Sequence, residues 1–313
     1  MDWEAAVEWV EQADIGRYRT GASLSCHTSW RIGGAASLMV WPKDEEACSK
    51  LHRYARAQAY PIRVMGYGTN LLVSDAGVDA LVIHMGDIRD MIWEDKQGNP
   101  INDDTVSEVV LAVGAGASLA LTAQLAADRG FSGLEFAAGI PGSIGGALAM
   151  NAGAFGGQIS DVVESVRVMD IDGRIRSMER RDIGYGYRSG GPGMPGNLIL
   201  GGRLLLKRGD KKDSLSRMET YMERRKTTQP LELPSGGSVF RNPSGGGAGR
   251  YIDQAGLKGR QVGGAQISPK HANFIVNLGS ATASDVRELM AIARTEVMDR
   301  YGVLLESEIV YWE

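Results

Sequence analysis

Cysteine is nearly absent: the 313 residues hold two, Cys26 and Cys48, in unrelated contexts and without a CxxC. Neither a disulfide framework nor a thiolate zinc site is expected, and both read as ordinary small residues. Histidine is as scarce, at four residues, and none is spaced for metal ligation. Charge of neither sign dominates. A formal net charge of -4 gives no basic footprint for nucleic acid and no attraction to anionic lipid. No run of about eighteen apolar residues occurs. The first residues, MDWEAAVEWVEQAD, are acidic and amphipathic, without the basic start and apolar core of a secretory signal. These absences predict a cytoplasmic protein without nucleic-acid or membrane partners; a monomer is expected, though composition does not determine oligomeric state. A hydrophobic content of 43% over this length is enough for two or three compact lobes.

Glycine is present in excess, at 42 residues. It is densest in GLEFAAGIPGSIGGALAMNAGAFGG, Gly133 to Gly157, where the crowding exceeds what ordinary core packing would need. Bare backbone lets main-chain N–H groups approach a phosphate or a flat heterocycle and reaches positive φ without strain. A second cluster, VMGYGTNLLVS (Val64 to Ser74), places Gly66, Gly68, Thr69 and Asn70 directly after an apolar run, as a strand feeding an anion nest. The Thr69 hydroxyl and the Asn70 amide would add donors for pyrophosphate oxygens. Two such loops point to a dinucleotide cofactor. No GxGxxG opens a helix and no acidic residue stands at the ribose distance, so a simple Rossmann domain is disfavoured.

The periodicities predict a mixed α and β chain. Asp44 to Gln58 has helical spacing, Ser118 to Arg129 reads as a helix stopped by Gly130, and strands are expected at Ile62 to Met65, Ala80 to His84 and Val109 to Val113. Val163 to Ile171 and Arg174 to Met178 flank an Asp172-Gly173 hairpin turn, and Leu198 to Lys207 is a further strand. The charged RGDKKDS at Arg208 suggests the main boundary: residues 1–208 as one domain, with two subdomains divided near 80–108, and 209–313 as the other. The second domain should hold a helix at Leu215 to Thr227, a Gly/Pro-rich stretch from Pro230 to Gly249, a strand Asn273 to Asn277, a long helix Ala283 to Tyr301 and a closing strand Glu308 to Trp312. On that last strand Glu308 would be a carboxylate among residues made for burial, expensive unless paired or used, and Glu306, two residues earlier on the same face, is the competing candidate.

Six ordered motifs carry a family resemblance: HTSWRIGG (His27 to Gly34), GYGTNLLVSDAG (Gly66 to Gly77), AAGIPGSIGGALAMNAGAFGG, YGYR (Tyr185 to Arg188), GSVFRNP (Gly237 to Pro243) and LLESEIV (Leu304 to Val310). Together they resemble the UDP-N-acetylenolpyruvoylglucosamine reductases, also called UDP-N-acetylmuramate dehydrogenases, in the shorter type that lacks an extra substrate-covering insertion. The resemblance implies an α+β fold with an FAD-binding domain of the vanillyl-alcohol oxidase and p-cresol methylhydroxylase type, in two α+β subdomains, and a separate C-terminal α+β substrate lobe.

The resemblance also implies noncovalent FAD, NADPH as hydride donor, and a UDP-sugar enolpyruvyl ether as substrate. Carried over by motif, Gly66, Tyr67, Gly68, Thr69, Asn70 and Leu71 would hold the FAD pyrophosphate. Gly139, Ile140, Pro141, Gly142, Ser143, Gly145 and Gly146, with Asn151, Ala152 and Gly153, would lie along the adenosine half and the flavin ring. Arg188 would grip the substrate carboxylate with its fork, Ser238 would give a proton to the α-carbon, and Glu308 would stabilise the enolic charge. Tyr187, Arg224 (beside Arg225 and Lys226 at a helix end), Asn242 and His271 are the substrate-binding candidates. In YGYR the chain departs from the family by continuing with Ser189, Gly190 and Gly191. Two other classes compete with this reading: an FAD-dependent hydroxy-acid oxidase or dehydrogenase of the same fold, which would not keep the Ser238 and Glu308 motifs, and a non-enzymatic nucleotide-sugar binder, which would not keep the flavin cradle.

Overall fold

The computed structural model describes residues 1–102, 105–186 and 197–313. Tyr187 and Arg188 lie outside the described residues. Contacts divide the chain into two compact units. One comprises residues 1–20, 38–67 and 80–223, the other 21–37, 68–79 and 224–313. The expected single cut after Arg208 does not follow this division, which falls inside the helix Lys211–Thr228 and draws two early segments into the C-terminal unit. Core packing gives the reason. Trp30 and Leu72 are fully buried in the same apolar cluster as Phe240, Ile252, Ile275, Leu289 and Val297. Burying a side chain of that size stabilises by about 2–3 kcal/mol, so a cut that exposed them would be expensive. Charge composition at Arg208 cannot report such contacts.

In the larger unit, an antiparallel sheet runs in the order Ile175–Glu179, Val163–Met169, Leu198–Arg208, Glu108–Gly114, Met91–Glu94. The helix Leu119–Asp128 packs into the same core. The Ser118 side chain caps its start by accepting from the Leu121 N–H. The strand Ile62–Met65 lies parallel to Val78–His84, with Met65 opposite His84, and so delivers Gly66 at its carboxyl end. This is the strand-then-loop order anticipated from the apolar run.

The smaller unit has an antiparallel sheet in the order Ser235–Ser238, Phe274–Asn277, Ala265–Ile267, Gln261–Val262. The helix Ala283–Tyr301 has the predicted bounds. A Thr282–Asp285 capping box starts it, and Gly302, at φ +65, ends it. Its Val286, Leu289, Met290, Ala293 and Val297 are buried, as the stripe in the sequence requires. The closing strand is shorter than expected: Val310–Trp312, paired parallel with Leu71–Val73. Glu308 therefore stands in irregular chain ahead of the strand, and the strand alternation used to assign its face does not apply.

Candidate active site

In the smaller unit, Ser238 ends its strand opposite Phe274, where the register shifts. Beyond it the Val239 N–H donates to the Asn273 carbonyl at 2.9 Å. The buried Asn273 carboxamide then closes on Phe240, accepting from its N–H at 3.0 Å and donating to its carbonyl at 2.8 Å. On the opposite edge the Glu308 N–H donates to Val239 O at 2.9 Å, the Arg241 N–H donates to Glu306 O at 2.9 Å, and Phe240 bridges Ser307. The segment after Ser238 is thus clasped between the chains carrying Asn273 and Glu308, and this brings two of the three catalytic candidates, Ser238 and Glu308, into one neighbourhood. Gly236 is bare because an added Cβ would lie 2.5 Å from the Trp30 ring.

The Gly68–Leu71 loop belongs to the same unit. Its carbonyl edge is tied down: the Ser29 N–H donates to Gly68 O at 3.2 Å, the Ser29 hydroxyl reaches Thr69 O at 3.4 Å, and the Val310 N–H donates to Asn70 O at 2.9 Å. Peptide carbonyls and N–H groups point oppositely, so tying the carbonyls turns the donor edge away from these contacts, as an anion nest requires. Gly68 is left-handed at φ +62, and an added Cβ would fall on the His27 carbonyl oxygen. The loop fits a pyrophosphate. The Asn70 side chain, expected to face the pyrophosphate, gives one of its amide N–H groups to the Glu308 carbonyl at 3.0 Å.

The larger unit holds the other cofactor-binding candidates. Gly66 approaches Ser143 so closely that a Cβ would strike its hydroxyl, which joins the two glycine clusters read separately from the sequence. The Tyr67 hydroxyl donates to Gly116 O at 3.0 Å. The segment from Gly139, at φ +69, to Gly142 leads into the helix Ile144–Met150. The Ile144 and Gly145 N–H groups are already used on Ala117 O and Ala115 O, at 2.9 and 2.8 Å, and Gly146 donates to the Ser143 hydroxyl at 3.3 Å. Core packing therefore explains part of this glycine run after all: a Cβ at Gly145 would lie 2.9 Å from that of Ala115. What the segment offers a ring is bare surface at Pro141 and Gly146, with half-exposed Ile140 and Gly142. Asn151 is buried at φ +46. It donates to Gln158 Oε1 and Gly186 O, at 2.9 and 3.0 Å, and accepts from the Ser160 N–H at 3.2 Å. The Ala152 N–H closes on Ala147 O, and Gly153 pairs with Gln158.

Of the substrate candidates in the smaller unit, Asn242 uses its Oδ1 to accept from the Ala248 N–H at 3.0 Å, which shapes the loop after Ser238. Burial pulls the His271 pKa below its ordinary value. Its Nδ1 accepts from the Asn273 N–H at 3.2 Å, leaving Nε2 as a neutral donor. Arg224 is exposed, whereas Arg225 is half-buried. Among the described residues the buried Arg225 Nε has no hydrogen-bond partner, and desolvation lowers the guanidinium pKa. A cation in that state suits an anion. Ser29 and Asn273 were not singled out from the sequence. Ser29 sits in the motif HTSWRIGG, but only the fold shows what it holds. The described residues contain no cluster of His, Cys, Asp or Glu able to hold a metal, and no helix among them is long and apolar enough to cross a membrane. Cys48 is a buried free thiol, pushed up to about 12 by desolvation and thus unreactive.

The class follows from the cradle and from one comparison: residues 36–179 match the family model described as an FAD binding domain, so the chain is a flavoprotein. Residues 229–312 match the UDP-N-acetylenolpyruvoylglucosamine reductase C-terminal domain. UDP-N-acetylenolpyruvoylglucosamine reductase 2 of Symbiobacterium thermophilum is 43% identical over 96% of this chain and 93% of its own length. The reductase of Moorella thermoacetica is 41% identical, over 94% and 92%. The crystal structure of the Thermus caldophilus reductase superposes with a TM-score of 0.78 at 38% identity, covering 95% of this chain and 99% of that one. The chain belongs to the UDP-N-acetylenolpyruvoylglucosamine reductase family.

Proposed function

We infer that the chain is an FAD-dependent oxidoreductase that uses NADPH to reduce UDP-N-acetylglucosamine enolpyruvate to UDP-N-acetylmuramate, a step of peptidoglycan precursor synthesis. The observation that carries the reading is the clasp on Glu308, whose N–H donates to the carbonyl of Val239, the residue after Ser238, at 2.9 Å, and whose carbonyl accepts from the Asn70 amide at 3.0 Å, so joining three motifs remote in sequence. Gly66 to Leu71 would hold the FAD pyrophosphate, and the bare surface from Gly139 to Gly146, with Asn151 to Gly153, would flank its rings. Bound FAD supplies hydride transfer from NADPH to the β-carbon of the enolpyruvyl group.

The chain's own residues handle the charge and the proton. Hydride arrival leaves negative charge on the α-carbon and its carboxylate, so donors fixed there stabilise the transition state more than the ground state. Arg188 would bind that carboxylate through two N–H groups. Ser238 would deliver a proton to the α-carbon. The hydroxyl is a weak acid, and it can act only if its acceptor is strongly basic and the oxygen is stabilised as it loses its proton; the clasped segment that follows it would hold it in place. Glu308 would donate to, or hydrogen-bond with, the enolic oxygen. Asn242 and His271 Nε2 would meet the substrate as uncharged partners, Tyr187 as an aromatic one, and Arg225 with Arg224 would meet the diphosphate. The reading includes a monomer working in the cytoplasm, where UDP-sugars and NADPH are found.

The test is an anaerobic titration of the purified yellow protein. NADPH should bleach the flavin, and the enolpyruvyl substrate should restore its colour stoichiometrically. Reoxidation by a keto acid and not by the enolpyruvyl ether would overturn the assignment in favour of a hydroxy-acid dehydrogenase, and colourless protein unable to take up FAD would overturn it altogether.

A further inference from the structure

We propose that Asn70 is a positioning residue for Glu308, so that the cofactor loop and the catalytic carboxylate are held as one body. The proposal rests on the role given to Glu308 above.

Glu308 occupies irregular chain between the bridge at Ser307 and the strand Val310–Trp312, where no regular ladder fixes it. Both of its main-chain groups are nonetheless taken. The N–H donates to Val239 O at 2.9 Å, and the carbonyl accepts from Asn70 Nδ2 at 3.0 Å. Asn70 also accepts, through its own carbonyl, from the Val310 N–H at 2.9 Å. One residue thus exchanges bonds in both directions with Glu308 and Val310. From Leu71 onward the same two chains continue as a parallel ladder, Leu71 opposite Val310.

The chemistry explains why asparagine stands here. Positions 69 and 70 form a turn, and the bond to the Glu308 carbonyl comes from the Asn70 side chain in place of a backbone N–H. A carboxamide copies the peptide group, and it supplies the missing rung from a side chain. The same short loop places Gly68 against His27 and carries the donor edge assigned to the pyrophosphate. Any displacement of the loop is therefore passed to Glu308. Misplacing a catalytic group by about 1 Å can cost a hundredfold in rate.

The variants are Asn70→Asp, which keeps the shape but sets an oxygen against the Glu308 carbonyl, and Asn70→Ala, which removes the donor. Both are measured as holoenzyme with excess FAD, beside Glu308→Gln and the double variant Asn70→Asp/Glu308→Gln. The expected result is reoxidation by UDP-N-acetylglucosamine enolpyruvate slowed at least about 10-fold more than flavin reduction by NADPH in the same variant. The double variant should be no more than about 2-fold slower than Glu308→Gln alone, because the amide acts only through that residue. Equal slowing of both half-reactions, or loss of FAD that excess cofactor repairs completely, would reduce Asn70 to a cofactor contact and overturn the proposal. Slow reoxidation in Glu308→Gln with normal reoxidation in Asn70→Asp would sink the positioning role alone. Unimpaired Glu308→Gln would instead sink the role of the carboxylate on which the proposal rests.

Discussion

Gly68→Ala is expected to strip FAD from the purified protein while the fold survives. The residue sits at φ +62, in the left-handed region, where a Cβ costs about 1–2 kcal/mol. The new methyl would also meet the His27 carbonyl oxygen and lie 3.0 Å from Thr28 Cα. These are main-chain atoms that cannot rotate away, and displacing them costs about another 1–3 kcal/mol, the range for overpacked sites. Thr28 precedes Ser29, which ties down the carbonyls of Gly68 and Thr69, so the shift falls on the loop's own anchor. Even the lower sum, about 2 kcal/mol, corresponds to roughly 30-fold in FAD affinity if expressed there. Gly21→Ala is the control: it shares the left-handed geometry at φ +58, but nothing lies within 4 Å of the added Cβ. The assay is flavin retained per polypeptide after desalting, with the FAD Kd from fluorescence quenching. Stoichiometric flavin and a Kd within a few-fold of the parent would refute the cradle assignment. Equal losses in both variants would show that backbone strain, and not loop placement, is responsible.

Ser238→Ala should leave anaerobic flavin reduction by NADPH nearly intact and slow substrate-dependent reoxidation by several orders of magnitude; equal loss in both half-reactions would remove it as proton donor. Arg225→Ala should raise KM for the UDP substrate by about 10- to 100-fold, the worth of one or two charge-assisted hydrogen bonds, without lowering Tm, because a half-buried guanidinium whose Nε has no partner among the described residues contributes little to the free fold. Unchanged KM in steady-state kinetics would refute that reading. Glu135 supplies a pH test. Burial by itself would raise its carboxyl, but hydrogen bonds from its own backbone, from Ser214 and from the Gly133 N–H, with the Arg217 charge, hold it below the ordinary 4.5. A depressed folded pKa gives stability that is complete above the unfolded value and is lost as pH falls through the folded one. Glu135→Gln should therefore cost about 2 kcal/mol at pH 7, and its gap from the parent should narrow in urea melts below about pH 4; a gap constant with pH would contradict the assignment.

Local pattern carried a large part of the fold. The helix Ala283–Tyr301 is written as an apolar stripe between a capping box and a glycine, and the strand Ile62–Met65 as a β-branched run before a glycine turn, so each is set by its own residues. The closing strand was overextended to Glu308 because alternation continues in sequence where pairing stops: Val310 has Leu71 opposite, whereas the Glu308 N–H turns to Val239. The Gly139 to Gly146 run was read as wholly for a ligand, since sequence cannot separate a glycine needed by a cofactor from one, such as Gly145, needed by Ala115.

By itself the sequence determined the chemistry available: bare peptide edges at two loops, and a serine and a carboxylate in ordered motifs. Tertiary structure alone decided which of these groups meet. Asn70, Val239 and Glu308 are joined by hydrogen bonds between chains remote in sequence, and Trp30 and Leu72 complete a core otherwise built from the C-terminal residues. Periodicity records what each segment buries, but hydrogen-bond partners and shared cores are properties of pairs, and no single stretch of chain encodes its partner.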